Sequence, residues 1–157
     1  MNVDEDVYMI LPGDLNINSG AIISLSGYMT VSGTLTNSAG TSGLVVESSA
    51  TGTGSLIESS GISATVKRFI TQDIYHYITP PVNGQNISLL QSGTAHTDYD
   101  LFWYDEDNSG GQGPLWIDAS EQSGNLEVGL GYAYTYKPSD RTIEFAGTTN
   151  QGTITEE

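Results

Sequence analysis

The chain has 157 residues, 4 Lys plus Arg against 19 Asp plus Glu, a formal net charge of −15 and no cysteine. So few cations argue against nucleic acid and anionic membrane surfaces as partners, and the absent thiol rules out cysteine catalysis, disulfides and zinc–thiolate sites. Only 15% of residues are charged, against about 25% in an average domain. The surface is therefore acidic but largely uncharged, which suits an extracellular or cell-surface location.

The opening Met1-Asn2-Val3-Asp4 carries no charged and apolar leader pattern and reads as the start of a fragment. From Asp14 a short repeat begins: DLNINSG, AIISLSG, YMTVSG, TLTNSAG, with glycine closing each segment at 20, 27, 33 and 40. Apolar residues alternate within each segment, as at Leu15 and Ile17, Ile23 and Leu25, Met29 and Val31. Period two denotes strands, and short strands with corners at fixed intervals denote rungs of a parallel β-helix. Three segments make one coil of about 20 residues, which stacks Leu15 near Leu35 and Ile23 near Leu44 or Val45. A further coil runs through GLVVESS and GSLIESS, ending near residue 61. A β-meander is the alternative, but the stretch lacks the Asn-Gly and Asp-Gly turns that hairpins favour.

A seam follows. Residues 1–66 hold six acids and no Lys or Arg, and Tyr8 and Tyr28 are their only aromatics. Beyond the seam lie Lys67, Arg68, Lys137, Arg141 and twelve aromatics. Strands are expected at 62–70, 73–79, 98–105, 115–117, 125–130, 131–137 and 141–145, with Pro80-Pro81, Asn83-Gly84 and DNSGGQGP as turns and loops. No window carries a helical apolar period. The expected fold is all-β: a short parallel β-helix of two to three coils over 1–61, followed by a β-sandwich over 62–157. No apolar run approaches the roughly 20 residues that cross a bilayer.

The succession LNINSGAIISLSG, MTVSGTLTNSAG, GTGSLI, ATVKRFI, YHYITPPVNGQ, DYDLFWYDED, LGYAYTY and IEFAGTTNQG resembles a β-helix/β-sandwich module of bacterial surface and secreted proteins exported by the type IX secretion pathway. The resemblance implies export, neighbouring modules in a larger parent protein and no catalytic residues. His76 matches the recurring His before Pro-Pro in that module, and a lone His between tyrosines reads as structural.

Three chemistries are weighed. No nucleophile elbow, zinc-protease motif or complete phosphate loop is present; Gly52-Thr-Gly54 and Gly129-Leu-Gly131 read as turns. Asp98 and Asp100 share a strand face and could serve a small polysaccharide-active enzyme only if a cleft forms there. Asp105, Asp107, Ser109 and Gly110 fit the opening of a calcium loop, with Asp118 as a late carboxylate; Trp116 stands where the bidentate Glu belongs, and a solvated acidic hairpin loop is the alternative. On 98–105, Tyr99, Leu101 and Trp103 face one side and Phe102 and Tyr104 the other, while Tyr132, Tyr134 and Tyr136 share a face opposite Ala133 and Thr135. Sugar rings stack their C–H faces on such rings, so Tyr104, Trp116, Tyr132 and Tyr134 are the candidate carbohydrate-binding residues; core packing is the competing use. The expected function is a non-catalytic module of an exported surface or secreted protein, a spacer and interaction surface for adhesion or substrate targeting. The alternative is a dedicated carbohydrate-binding module of a secreted polysaccharide-degrading enzyme.

Overall fold

The computed structural model describes residues 1–105 and 115–152. They fall into two compact units, one formed by 1–69, 81–83 and 142–152, the other by 70–80, 84–105 and 115–141.

The first unit is a three-sided β-solenoid. β1 (Asn2–Val3), β2 (Tyr8–Leu11) and β3 (Leu15–Ile17) form its first coil, and β4 (Ile23–Leu25), β5 (Tyr28–Val31) and β6 (Leu35–Asn37) its second. A 3-10 turn at Thr41–Gly43 leads into β7 (Leu44–Val46) and then β8 (Ser55–Ile57). The coils stack in parallel register, with Leu15 opposite Leu35, Met9 opposite Met29 and Ile23 opposite Leu44. The alternating apolar residues point inward and make one core, including Val3, Ile17, Leu25, Met29, Val31, Leu35, Leu44 and Val46.

The glycine corners have two causes: Gly20 and Gly40 take positive φ, 81° and 72°, and elsewhere the coils approach closely. A Cβ on Gly27 would collide with the carbonyls of Asp4 and Val7, and one on Gly54 with the carbonyl of Leu25. Asn37 staples another corner: its Oδ1 accepts the Ala39 N–H at 2.9 Å, while its amide donates to the carbonyls of Gly40 at 2.8 Å and Ser63 at 2.7 Å. Beyond β6 the third side gains no further strand. Instead the Leu35 N–H donates to the Ser60 hydroxyl.

β9 (Ser63–Ile70) and β14 (Arg141–Thr148) complete the largest sheet, ordered β1-β4-β7-β9-β14. The sequence placed both strands in the second domain. β9 instead pairs in parallel with β7, Val45 opposite Thr65, and seats Ile62 and Ala64 in the solenoid core. Alternation marks a strand but does not name its partner. Lys67 lies between Glu47 at 3.1 Å and Glu144 at 3.6 Å. The hydrogen bond to Glu47 outweighs the opposing effect of burial and raises its pKa.

The second unit is a four-stranded antiparallel sheet, ordered β10-β13-β11-β12: β10 is His76–Ile78, β11 Tyr99–Tyr104, β12 Trp116–Asp118 and β13 Tyr132–Tyr136. One face is core, with Ile78, Tyr99, Leu101, Tyr132 and Tyr134 buried along with Leu90 and Leu126. Residues 125–130, expected as a strand, form none beyond a single bridge from Asn86 to Asn125. Gly124 and Gly129 turn the chain there at φ 111° and 97°, leaving no room for a ladder. Ile87–Leu89 forms a 3-10 turn that the sequence pattern did not show.

Candidate functional site

The strand register determines what the outer face of the antiparallel sheet presents. Tyr77 lies opposite Ala133, Ala133 opposite Phe102, and Phe102 opposite Asp118. One step along, Tyr104 lies opposite Trp116; one step the other way, Asp100 lies opposite Thr135. Small Ala133 sits between larger neighbours, so the face is concave. The result is a trough of about 340 Å3 with Ala133 at its floor and Tyr75, Tyr77, Phe102 and Trp116 as walls.

These rings are accessible: Tyr77 is 71% exposed and Trp116 40%. Trp116 meets Tyr77 at 6.2 Å between centroids with planes tilted 30°, and Tyr104 edge-on at 5.2 Å and 67°. Each ring braces its neighbour, which keeps a large apolar surface ordered in water.

A polar network borders the trough. Asp100 accepts hydrogen bonds from Lys137 Nζ at 2.9 Å and the Tyr75 hydroxyl at 3.0 Å, and faces His96 Nδ1 at 3.3 Å. Burial alone would raise the Asp100 pKa, but the bonds from Lys137, Tyr75 and His96 together hold it below the ordinary carboxylate value. The Tyr75 phenol is raised, first by burial and then by its bond to Asp100. His96 Nε2 lies 3.0 Å from Asp118 Oδ2, and Asp118 Oδ1 accepts the Ser120 N–H at 2.9 Å. His96 reaches this position through a tight turn: Asp98 Oδ2 accepts the Thr94 N–H at 2.7 Å, the His96 N–H donates to Tyr99, and His96 itself has φ 62°.

Behind the trough the support is buried. Ser120 Oγ accepts the Leu101 N–H at 3.0 Å, and the Tyr99 hydroxyl donates to the Ser120 carbonyl at 2.7 Å. Arg141 donates to the Tyr134 hydroxyl at 2.6 Å and the Leu89 carbonyl at 2.7 Å, and stacks on the Tyr136 ring at 5.1 Å. Burial raises the Tyr134 pKa, opposed by the Arg141 charge.

Of the four candidate sugar-stacking residues, Tyr104 and Trp116 reach this face together. Tyr132 and Tyr134 are 4% and 0% exposed and belong to the core, so no ligand reaches their rings. Period two placed them correctly on one face but did not reveal which face is inward. Tyr75 and Tyr77 take their place, both visible in the sequence as tyrosines flanking His76. That histidine is structural, its Nε2 accepting the Thr71 N–H at 3.0 Å. His96 and Lys137 had no local signal, because the turn at 93–98 and the sheet register bring them to Asp100.

The calcium candidates Asp107 and Ser109 lie outside the described residues. Asp105 stands at the end of β11, its N–H donating to the Leu115 carbonyl at 2.7 Å, and Asp118 has both oxygens engaged as above. Among the described residues no three His, Asp or Glu are grouped to hold a metal ion, and no helix is long and apolar enough to cross a membrane.

A larger groove of about 540 Å3 lies in the solenoid unit, between β8 and residues 149–152. Its carboxylate, Glu58, is committed to structure: Oε1 accepts from Thr149 and Gln151, and Oε2 from the backbone of Ser60 and Gly61. No aromatic residue lines it, so the trough is the better candidate. No family model, curated protein or solved structure matches this chain.

Proposed function

We propose that this chain is a non-catalytic recognition module of an exported bacterial surface or secreted protein, in which the solenoid is a spacer and the antiparallel sheet makes the contact used in adhesion or substrate targeting. One observation carries the reading: the exposed aromatic trough over Ala133, whose neighbouring carboxylates are already engaged. A general acid needs a carboxyl held protonated near neutral pH. Asp100 is held in the opposite state by Lys137, and Asp118 is spent on His96 and the Ser120 backbone. Such groups accept hydrogen bonds and orient a ligand; they do not deliver protons. The charge-poor acidic surface and the resemblance to type IX-exported modules support export.

The test is retention of the purified protein on wells coated separately with polysaccharides, peptidoglycan and extracellular matrix proteins. Retention on at least one coating, lost in Trp116→Ala with an unchanged melting temperature, supports recognition. Equal retention of wild type and variant, or no retention anywhere, contradicts it. Reducing-sugar release that scales with protein and disappears in Asp100→Asn overturns the non-catalytic reading. Protease shaving of intact producing cells releases peptides of this chain if it is exported to the surface.

A further inference from the structure

Building on that reading, we infer that the trough is a binding site for a short stretch of neutral, soluble glycan, one or two pyranose rings long, and not for a crystalline polysaccharide surface or an anionic polymer. Four features of the site define that ligand.

The first is the pairing of apolar faces with hydrogen-bonding groups. A pyranose has C–H faces that stack on aromatic rings and an edge of hydroxyls that need partners when desolvated. Tyr77 and Trp116 offer the faces. Asp118, in line with Phe102 on the same sheet face, and the Tyr75 hydroxyl oxygen put hydrogen-bond acceptors at the border. Beyond the bonds they already make, these oxygens keep lone pairs that sugar hydroxyls can donate to.

The second is size. A volume of about 340 Å3 lies at the lower end of ligand sites, enough for a ring or two.

The third is shape. A crystalline polysaccharide requires coplanar platforms, whereas Trp116 is tilted 30° from Tyr77 and 67° from Tyr104. The face is concave and takes a single flexible chain or its end.

The fourth is charge. Among the described residues Lys137 is the cation at this border, and it is held by Asp100. On a chain of net charge −15, uronic or sulfated glycans meet repulsion, and among the described residues no cation lines the trough.

The experiment is calorimetric titration with neutral oligosaccharides of one to six units from glucan, mannan, xylan and galactan series, alongside uronic oligosaccharides. Pull-down on crystalline cellulose and chitin runs in parallel. The expected result is binding to at least one neutral series, with affinity rising from one to two units and then level. Trp116→Ala and Tyr77→Ala should each lower the association constant about tenfold or more, while Tyr8→Ala on the solenoid leaves it unchanged. Stronger retention on a crystalline surface, preference for uronic chains, or affinity still climbing at six units would overturn the inference. So would binding that is indifferent to both trough substitutions. If no neutral series binds while Trp116-dependent retention on a protein coating persists, the glycan assignment fails and the recognition reading survives; if neither is found, both fail.

Discussion

Asp100 shows how one carboxylate can organise a surface. It sits on the outer face of β11, yet its side chain is only 13% exposed and is enclosed by Lys137, Tyr75 and His96. Its pKa in the folded state is held below the usual 3.8. Its stabilising contribution is therefore complete above the value of the unfolded carboxyl and is lost as pH falls through the folded value. Wild-type protein should lose melting temperature as pH drops below about 4. Asp100→Asn should be roughly 1–3 kcal/mol less stable at neutral pH, with a flatter acid limb. Thermal melts from pH 7 to pH 3 on both proteins check this, and parallel curves would refute it. Nothing local in the sequence announced this centre: Asp98 and Asp100 read as strand-face neighbours, whereas in fact Asp98 caps the Thr94 turn and Asp100 gathers partners from three segments. Those partners become neighbours only through the register of β10, β13 and β11.

At the scale of elements, the solenoid was legible because its rule is local. Period-two apolar residues and glycine corners define each rung, and the spacing of about 20 residues places Leu15 over Leu35. The same register sets Tyr8 on Tyr28, ring centroids 4.5 Å apart and planes nearly parallel, on the outside of the coil. What the pattern could not show is how a coil ends. β9 joins the solenoid sheet by parallel pairing with β7, which buries Ala64, and β14 adds beyond β9; an alternating strand gives no sign of which sheet it will enter. The corner staples are more telling than the strands. Asn37 satisfies three backbone groups, one of them on Ser63 at the start of β9. Asn37→Ala should therefore cost about 1–3 kcal/mol, and Asn37→Asp, which keeps the acceptor and loses the amide donors, should recover only part of it. Urea unfolding measures both; a variant as stable as wild type would show that the corner holds without its staple.

For the whole molecule, the governing quantity is a charge of −15 spread over few ionic residues. Lys67 is flanked by two acids and Lys137 is bonded to one, and 4 cations against 19 acids leave a large negative excess. Self-repulsion of this kind opposes the compact state and is screened by salt. The melting temperature should rise as sodium chloride goes from about 10 mM to about 500 mM, where the screening length shrinks several-fold; a fall would mean that the few ion pairs outweigh the repulsion. The same charge excess, already visible in composition, directs the trough toward uncharged ligands. Which rings form that trough was only half visible. Trp116 could be named and Tyr104 braces it from beside the trough, but Tyr132 and Tyr134 share an equally good alternation and lie inside. Inward and outward were decided by Leu101 and Tyr99, whose burial fixes the core side of β11 and, through pairing, of β13.

Hydrogen–deuterium exchange with and without a neutral trisaccharide selected by calorimetry is the most direct measurement of where this molecule makes contact. Slowed exchange confined to peptides spanning 75–78, 100–104 and 116–118, absent in Trp116→Ala, is the result predicted. Protection confined to the solenoid strands, or none in the antiparallel sheet at saturating sugar, would contradict the assignment of recognition to the trough.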